Sequence, residues 1–176
     1  MVAPTEAGAP VVLFRERQRF RQPWLWALLL GVAAVPWYGA WRQLVNRDPW
    51  GTNPMPDAGL VAVLLTFGIA FPLFFRVMEL RTEVRGDGIH VRFFPLHARG
   101  KLYRWEELRE VEMREYRPLA EYGGWGIRIG PAGWAYNVSG RQGIQLVTHA
   151  GLRVLIGTRE PEAFIDAVRE ARPEAP

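Results

Sequence analysis

Two uncharged apolar runs limit what this sequence can fold into. From Gln22 to Trp41 no side chain carries a charge, and a helix rising about 1.5 Å per residue over that stretch covers about 30 Å, the hydrocarbon thickness of a bilayer. A second run, "AGLVAVLLTFGIAFPLFF" from Ala58 to Phe75, covers about 27 Å by the same rise, at the short end of the spanning range. Both runs are apolar all round, which argues against a soluble hairpin that hides one face. The first is aromatic-rich and soon followed by the second, unlike a cleaved leader.

The flanks carry the expected interfacial residues. Trp24 and Trp26 open the first run, Trp37, Tyr38 and Trp41 close it, and Arg76 stands where it can snorkel from the end of the second. Pro36 and Pro72 lie near the trailing ends, where a kink is tolerated. Arg15, Arg17, Arg19 and Arg21 precede the first run and Arg76, Arg81 and Arg85 follow the second, whereas the connection holds only Arg42 and Arg47. The positive-inside bias then gives a multi-pass protein of the inner cell membrane with both termini cytoplasmic. The expected organisation is a basic segment 1–21, a span 22–41, an external loop 42–57, a span 58–77 and a cytoplasmic domain 80–172.

After Leu80 the pattern changes to short alternating runs broken by glycine, the mark of strands. "LRTEVRGDGIHVRFF" reads as a hairpin turning at Gly86, Asp87 and Gly88. "KLYRW" and "LREVEMREY" follow, although "WEELREVEMRE" also contains good helix formers. "GWGIRIG", "GWAYNVSG" and the arms of "GIQLVTHAGLRVLIGT" supply further strands, and "EPEAFIDAVREA" a closing helix with Pro161 in its first turn and Phe164, Ile165 and Val168 on one face. The fold class is α+β: a two-helix transmembrane hairpin, then about seven antiparallel strands and one C-terminal helix.

Charge and motifs exclude more than they assign. Residues 82–176 hold 14 basic and 13 acidic side chains, interspersed, so nucleic acid is not an expected partner. There is no cysteine, and His90, His97 and His149 show no ligand spacing, so no metal is expected. Gly124, Gly126 and Gly130 match neither a P-loop nor a dinucleotide fingerprint, and no helix follows them, so neither nucleotide nor other cofactor is expected. Those glycines, with Trp125, Trp134 and Tyr136, suit a tightly bent sheet. Ser139 lies in no nucleophile elbow, and no catalytic constellation is visible, so the chain does not read as an enzyme. The candidate binding rim is Glu121, Tyr122, Arg128, Asn137 and Arg141, should the fold bring them together to meet an anionic headgroup or a peptide.

The strand order, with "TEVRGDGIHVRFFP", "WEELREV", "EYGGWGIR", "AYNVSG", "GIQL" and "LIGTREPEAFIDAV", resembles bacterial pleckstrin-homology-like domains attached to paired membrane spans, a family with no assigned activity. The resemblance covers about half of the chain and implies fold and location alone. The expected role is a membrane-anchored interaction or scaffolding module, with the bilayer and a protein partner or a second copy as its contacts. Two other roles are compatible: an anionic-lipid sensor, and an accessory subunit of a membrane enzyme or transporter. Transport through one copy is disfavoured, because Thr66 is the one polar side chain within the spans.

Overall fold

The computed structural model describes residues 11–172. It divides into two compact units, one running from Arg19 to Met78 and the other joining the preceding segment to everything from Glu79 onward. The first unit is a helical pair: α1, Pro23–Val45, and α2, Asp57–Val77, are each long and apolar enough to cross a membrane. Pro23 sits in the first turn of α1, where its missing N–H costs nothing. In α2 the turns widen to π-helical over Leu64–Ala70, just ahead of Pro72, which has no N–H to give. Leu29, Ala33 and Leu60 are buried, whereas Leu28, Leu30, Val35, Leu65 and Leu73 are exposed. Only 6% of the apolar window of α2 is buried, which is not how a soluble core helix behaves.

The β unit begins earlier than the sequence pattern suggests. Strand β1, Val12–Arg19, lies in the segment read above as a basic flank, and it runs beside β2, Glu79–Arg85, in one sheet. Its inward positions are Phe14, Glu16 and Gln18 and its outward ones Arg15, Arg17 and Arg19. Two polar residues on the inward side hide the alternation that marks a half-buried strand. The sheet continues with β3, Gly88–Phe94, and β4, His97–Arg104, in the order β1-β2-β3-β4. The two-residue turn between β2 and β3 falls at Gly86 and Asp87, as expected from the sequence.

Trp105–Glu107 forms one turn of 3-10 helix ahead of the next strand, so the helix formers of this stretch make helix only at its start, and the Trp105 indole N–H donates to the Arg85 carbonyl at 3.1 Å. The second sheet contains β5, Leu108–Glu115, β6, Gly126–Gly130, β7, Gly133–Asn137, β8, Gln142–Thr148, and β9, Arg153–Gly157, ordered β5-β8-β9-β7-β6. β8 pairs antiparallel with β5 on one side and β9 on the other, and the β6–β7 hairpin is added by a parallel pairing of β7 with β9. A short helix not anticipated from the sequence, α3, Pro118–Tyr122, leads into that hairpin. Nine strands therefore stand among the described residues where about seven are expected.

The closing helix α4, Pro161–Ala171, contacts β2 of the first sheet and β5 and β8 of the second. Phe164, Ala167 and Val168 are buried on its inner face, beside a core that includes Leu80, Ile89, Phe93, Leu108, Ile144 and Ile156. Phe14 of β1 meets Phe164 with ring centroids 5.0 Å apart. The glycine-rich run serves this packing: Gly133 has φ +106°, and a Cβ there would lie 2.4 Å from the Arg153 carbonyl oxygen. Only glycine admits both that dihedral and that approach.

Candidate functional site

The five residues of the candidate rim do not form one rim. Tyr122 and Asn137 are buried, Arg128 and Arg141 are exposed, and Glu121 lies between. Glu121 is paired with Arg114 and accepts the Arg117 backbone N–H at 2.7 Å, so it closes the turn into α3. Asn137 accepts the Gly126 N–H at 2.9 Å through Oδ1, fixing the end of the β6–β7 hairpin. Arg128 donates to the Trp125 carbonyl at 3.0 Å, and the backbone carbonyl of Arg141 accepts the Tyr116 N–H at 2.8 Å. Tyr122 packs edge-on against Tyr116, ring centroids 6.0 Å apart. Burial pushes the Tyr116 hydroxyl up to about 12, with Asn137 pulling it the other way, and burial also raises Tyr122. These are core tyrosines that stay protonated.

A different group converges at the surface. On the face of the first sheet that turns away from the core, Arg81, Glu83 and Arg85 of β2 and His90 and Arg92 of β3 surround a concavity of about 360 Å³, bordered on the far side by the 99–102 stretch of β4, with Arg99 as its cation. Arg81 stands directly across the ladder from Arg92. Like charges in that position repel and weaken the pairing. Glu83 is the lone carboxylate of the lining, and it is already engaged by Arg85 and by Arg15 at 2.8 Å. Burial works to raise the Glu83 carboxyl, but the hydrogen bond and charge of Arg85, joined by Arg15, hold it below the usual carboxylate range. The even charge balance of the linear sequence therefore conceals a local cationic excess at this concavity. Cations predominate in this lining, whereas a groove between β5 and α4 mixes Glu110, Glu112, Glu162 and Asp166 with Arg109, Arg169 and Arg172. Sequence reading missed the cluster because its members are spread over three strands and none belongs to a motif.

A family model described as a family of unknown function, DUF6141, matches residues 5–173. The chain belongs to the DUF6141 family. No curated protein and no solved structure matches it. The DUF6141 match starts ahead of β1 and ends beyond α4, so the helical pair and the strands on either side of it are parts of one family architecture.

Within the helical unit of this DUF6141 chain, the aromatic and basic residues expected from the sequence to mark an interface fall at both ends. Trp24, Trp37, Tyr38 and Trp41 are exposed, and Trp26 donates its indole N–H to the Phe20 carbonyl at 2.9 Å. The start of α1 meets the end of α2, since Phe20 and Phe75 lie edge to face at 5.7 Å. Arg19, Arg21 and Arg76 gather there with Trp26 around a cavity of about 320 Å³. At the opposite end Arg42 pairs with Asp48, and Gln43 donates to the Met55 carbonyl at 2.7 Å, which folds the connecting loop on itself. Among the described residues no group of three or more His, Cys, Asp or Glu could hold a metal ion.

Proposed function

We propose that the chain is a two-span membrane protein whose β unit is a pleckstrin-homology-like module, acting without catalysis as a binding or scaffolding platform on the cytoplasmic surface. The observation that carries this reading is the place of the helical pair. With the α3–β6–β7 segment set aside, the strands run in the order β1-β2-β3-β4, then β5-β8-β9, then a closing helix, and the two apolar helices occupy the connection between β1 and β2. Because β1 and β2 are neighbours in one sheet, the chain leaves and re-enters the same folded unit, so any membrane crossing between them occurs an even number of times. Both termini and the β unit then share one side. The three arginines at the β-unit end of the helical pair favour the cytoplasmic side. Fold-level likeness supports a binding role by analogy.

The absence of cysteine gives a clean background for testing sidedness. Asn53→Cys in the connecting loop should react with an impermeant maleimide on intact spheroplasts, and Arg128→Cys, on exposed β6, only after permeabilisation. The reverse pattern, or equal labelling of both, contradicts the reading. A second role, recognition of anionic lipid, is favoured by the cationic face of the first sheet.

A further inference from the structure

We propose that the concavity on the first sheet is a binding site for a phosphate-bearing anion. Four cationic side chains, Arg81, Arg85, Arg92 and Arg99, line it against the one carboxylate of Glu83, while Lys101, also at its edge, turns its ammonium to the Tyr103 ring on the other face of the sheet. That carboxylate is already satisfied by Arg15 and Arg85, so it adds little field to neutralise the rest. Arg92, Arg99 and Lys101 make no ion pair among the described residues; Arg92 lies over the Phe94 ring at 5.8 Å and Lys101 over the Tyr103 ring at 4.9 Å. Arg81 adds a buried Nε–H with no hydrogen-bond partner. Arg81 is paired with Glu79 at 3.3 Å and Arg85 with Glu83, but the guanidiniums of Arg92 and Arg99 are unpaired, and planar donor forks suit phosphate oxygens, which accept two parallel N–H bonds from each fork.

The backbone shapes the hollow. The β3–β4 register shifts between Val91 and Phe93, and Gly100 on β4 takes φ +71°, 3.1 Å from the Val91 carbonyl oxygen measured from a Cβ placed there. A bulge of this kind bends the strand and re-aims the side chains beside it, and Arg99 is the cationic residue that falls within the shifted stretch. Glu79 offsets part of the cross-strand repulsion of Arg81 and Arg92, and an anion between the two would offset the rest.

The shared chemistry is a phosphate group, and its source is a lipid headgroup or a soluble phosphate compound. The headgroup source rests on the membrane reading above, whereas the site itself stands on the geometry of the β unit. The full chain in neutral maltoside micelles is titrated with pyrophosphate by calorimetry. In parallel, the full chain in nanodiscs of phosphatidylcholine, with or without phosphatidic acid, is followed by hydrogen exchange of β3 and β4. Binding in micelles supports the site and a soluble source; protection that appears only with phosphatidic acid supports the site and a headgroup source. The double variant R92Q/R99Q, both positions exposed, should lose roughly tenfold or more in either arm, since one charge-assisted hydrogen bond contributes about 1.5–3 kcal/mol. R109Q/R169Q, which removes the same charge from exposed pairs elsewhere, should bind as the parent does. No pyrophosphate binding together with no lipid-dependent protection overturns the proposal, as does equal binding by R92Q/R99Q and the parent. A chain recovered without detergent would refute the membrane reading and leave the pyrophosphate arm intact.

Discussion

Glu16, which precedes both apolar helices, accepts the Thr158 hydroxyl at 2.6 Å and the Arg159 backbone N–H at 3.0 Å, at the entry to α4. Two residues on, Gln18 donates to the Gly157 carbonyl at 2.7 Å. The start of the described chain is thereby fastened to its last strand and helix. Removing a buried carboxylate that satisfies two donors leaves both unpaired, so Glu16→Ala should destabilise the β unit by about 2–4 kcal/mol. Thermal unfolding of the purified full chain in neutral detergent, followed by near-ultraviolet circular dichroism, measures this. Thr158→Val should show coupling with Glu16→Ala in a double-mutant cycle, because the two share one bond.

Tyr122 separates a packing role from a ligand role. Its hydroxyl is buried with no hydrogen-bond partner among the described residues. Deleting an unsatisfied buried hydroxyl is neutral or favourable, so Tyr122→Phe should leave the melting temperature unchanged or raise it. A clear loss of stability would mean that the hydroxyl has a partner on which the fold depends.

Gly133→Ala tests the glycine-rich run. The substitution forces an L side chain to φ +106° against the Arg153 carbonyl, and strain of that kind costs about 1–3 kcal/mol. The melting temperature should fall, and the β6–β7 hairpin should exchange its amides faster than the first sheet does.

Glu83 gives the fold an acid-sensitive element. Its carboxyl is held below the ordinary value of 4.5 in the folded state. A depressed carboxylate contributes stability that is fully present above the unfolded value and is lost as pH falls through the folded one. The stability difference between the parent and Glu83→Gln should thus be constant above about pH 5 and shrink below about pH 4. Denaturant unfolding at a series of pH values measures it, and a difference that widens on acidification would contradict the assignment.

Much of the fold is legible in the sequence because its signals are local. The alternation and the glycine turn of β2 and β3, the paired apolar runs, and Pro161 ahead of Phe164 and Val168 each depend on near neighbours in sequence. β1 is not legible in this way: Glu16 and Gln18 occupy inward positions because their partners lie in residues 157–159, and nothing nearby announces that. The cationic hollow is hidden for the same reason, since the register that sets Arg81 opposite Arg92 and brings β4 alongside exists only once the sheet has formed. Tyr122 and Asn137 look like rim residues in the linear sequence because polar side chains near glycines suggest a loop, yet Asn137 is buried to hold a hairpin.

The most direct test asks whether β1 belongs to the β unit. Two fragments are compared: residues 79–172 alone, and residues 11–18 joined to 79–172 by a flexible glycine–serine linker in place of the helical pair. A linker of ample length adds little closure cost between neighbouring strands. The joined form should be soluble, monomeric and cooperative in thermal unfolding, while the fragment lacking β1 should aggregate or unfold without a transition. Equal stability of the two fragments, or failure of the joined form to fold, would contradict a β unit divided by a membrane hairpin.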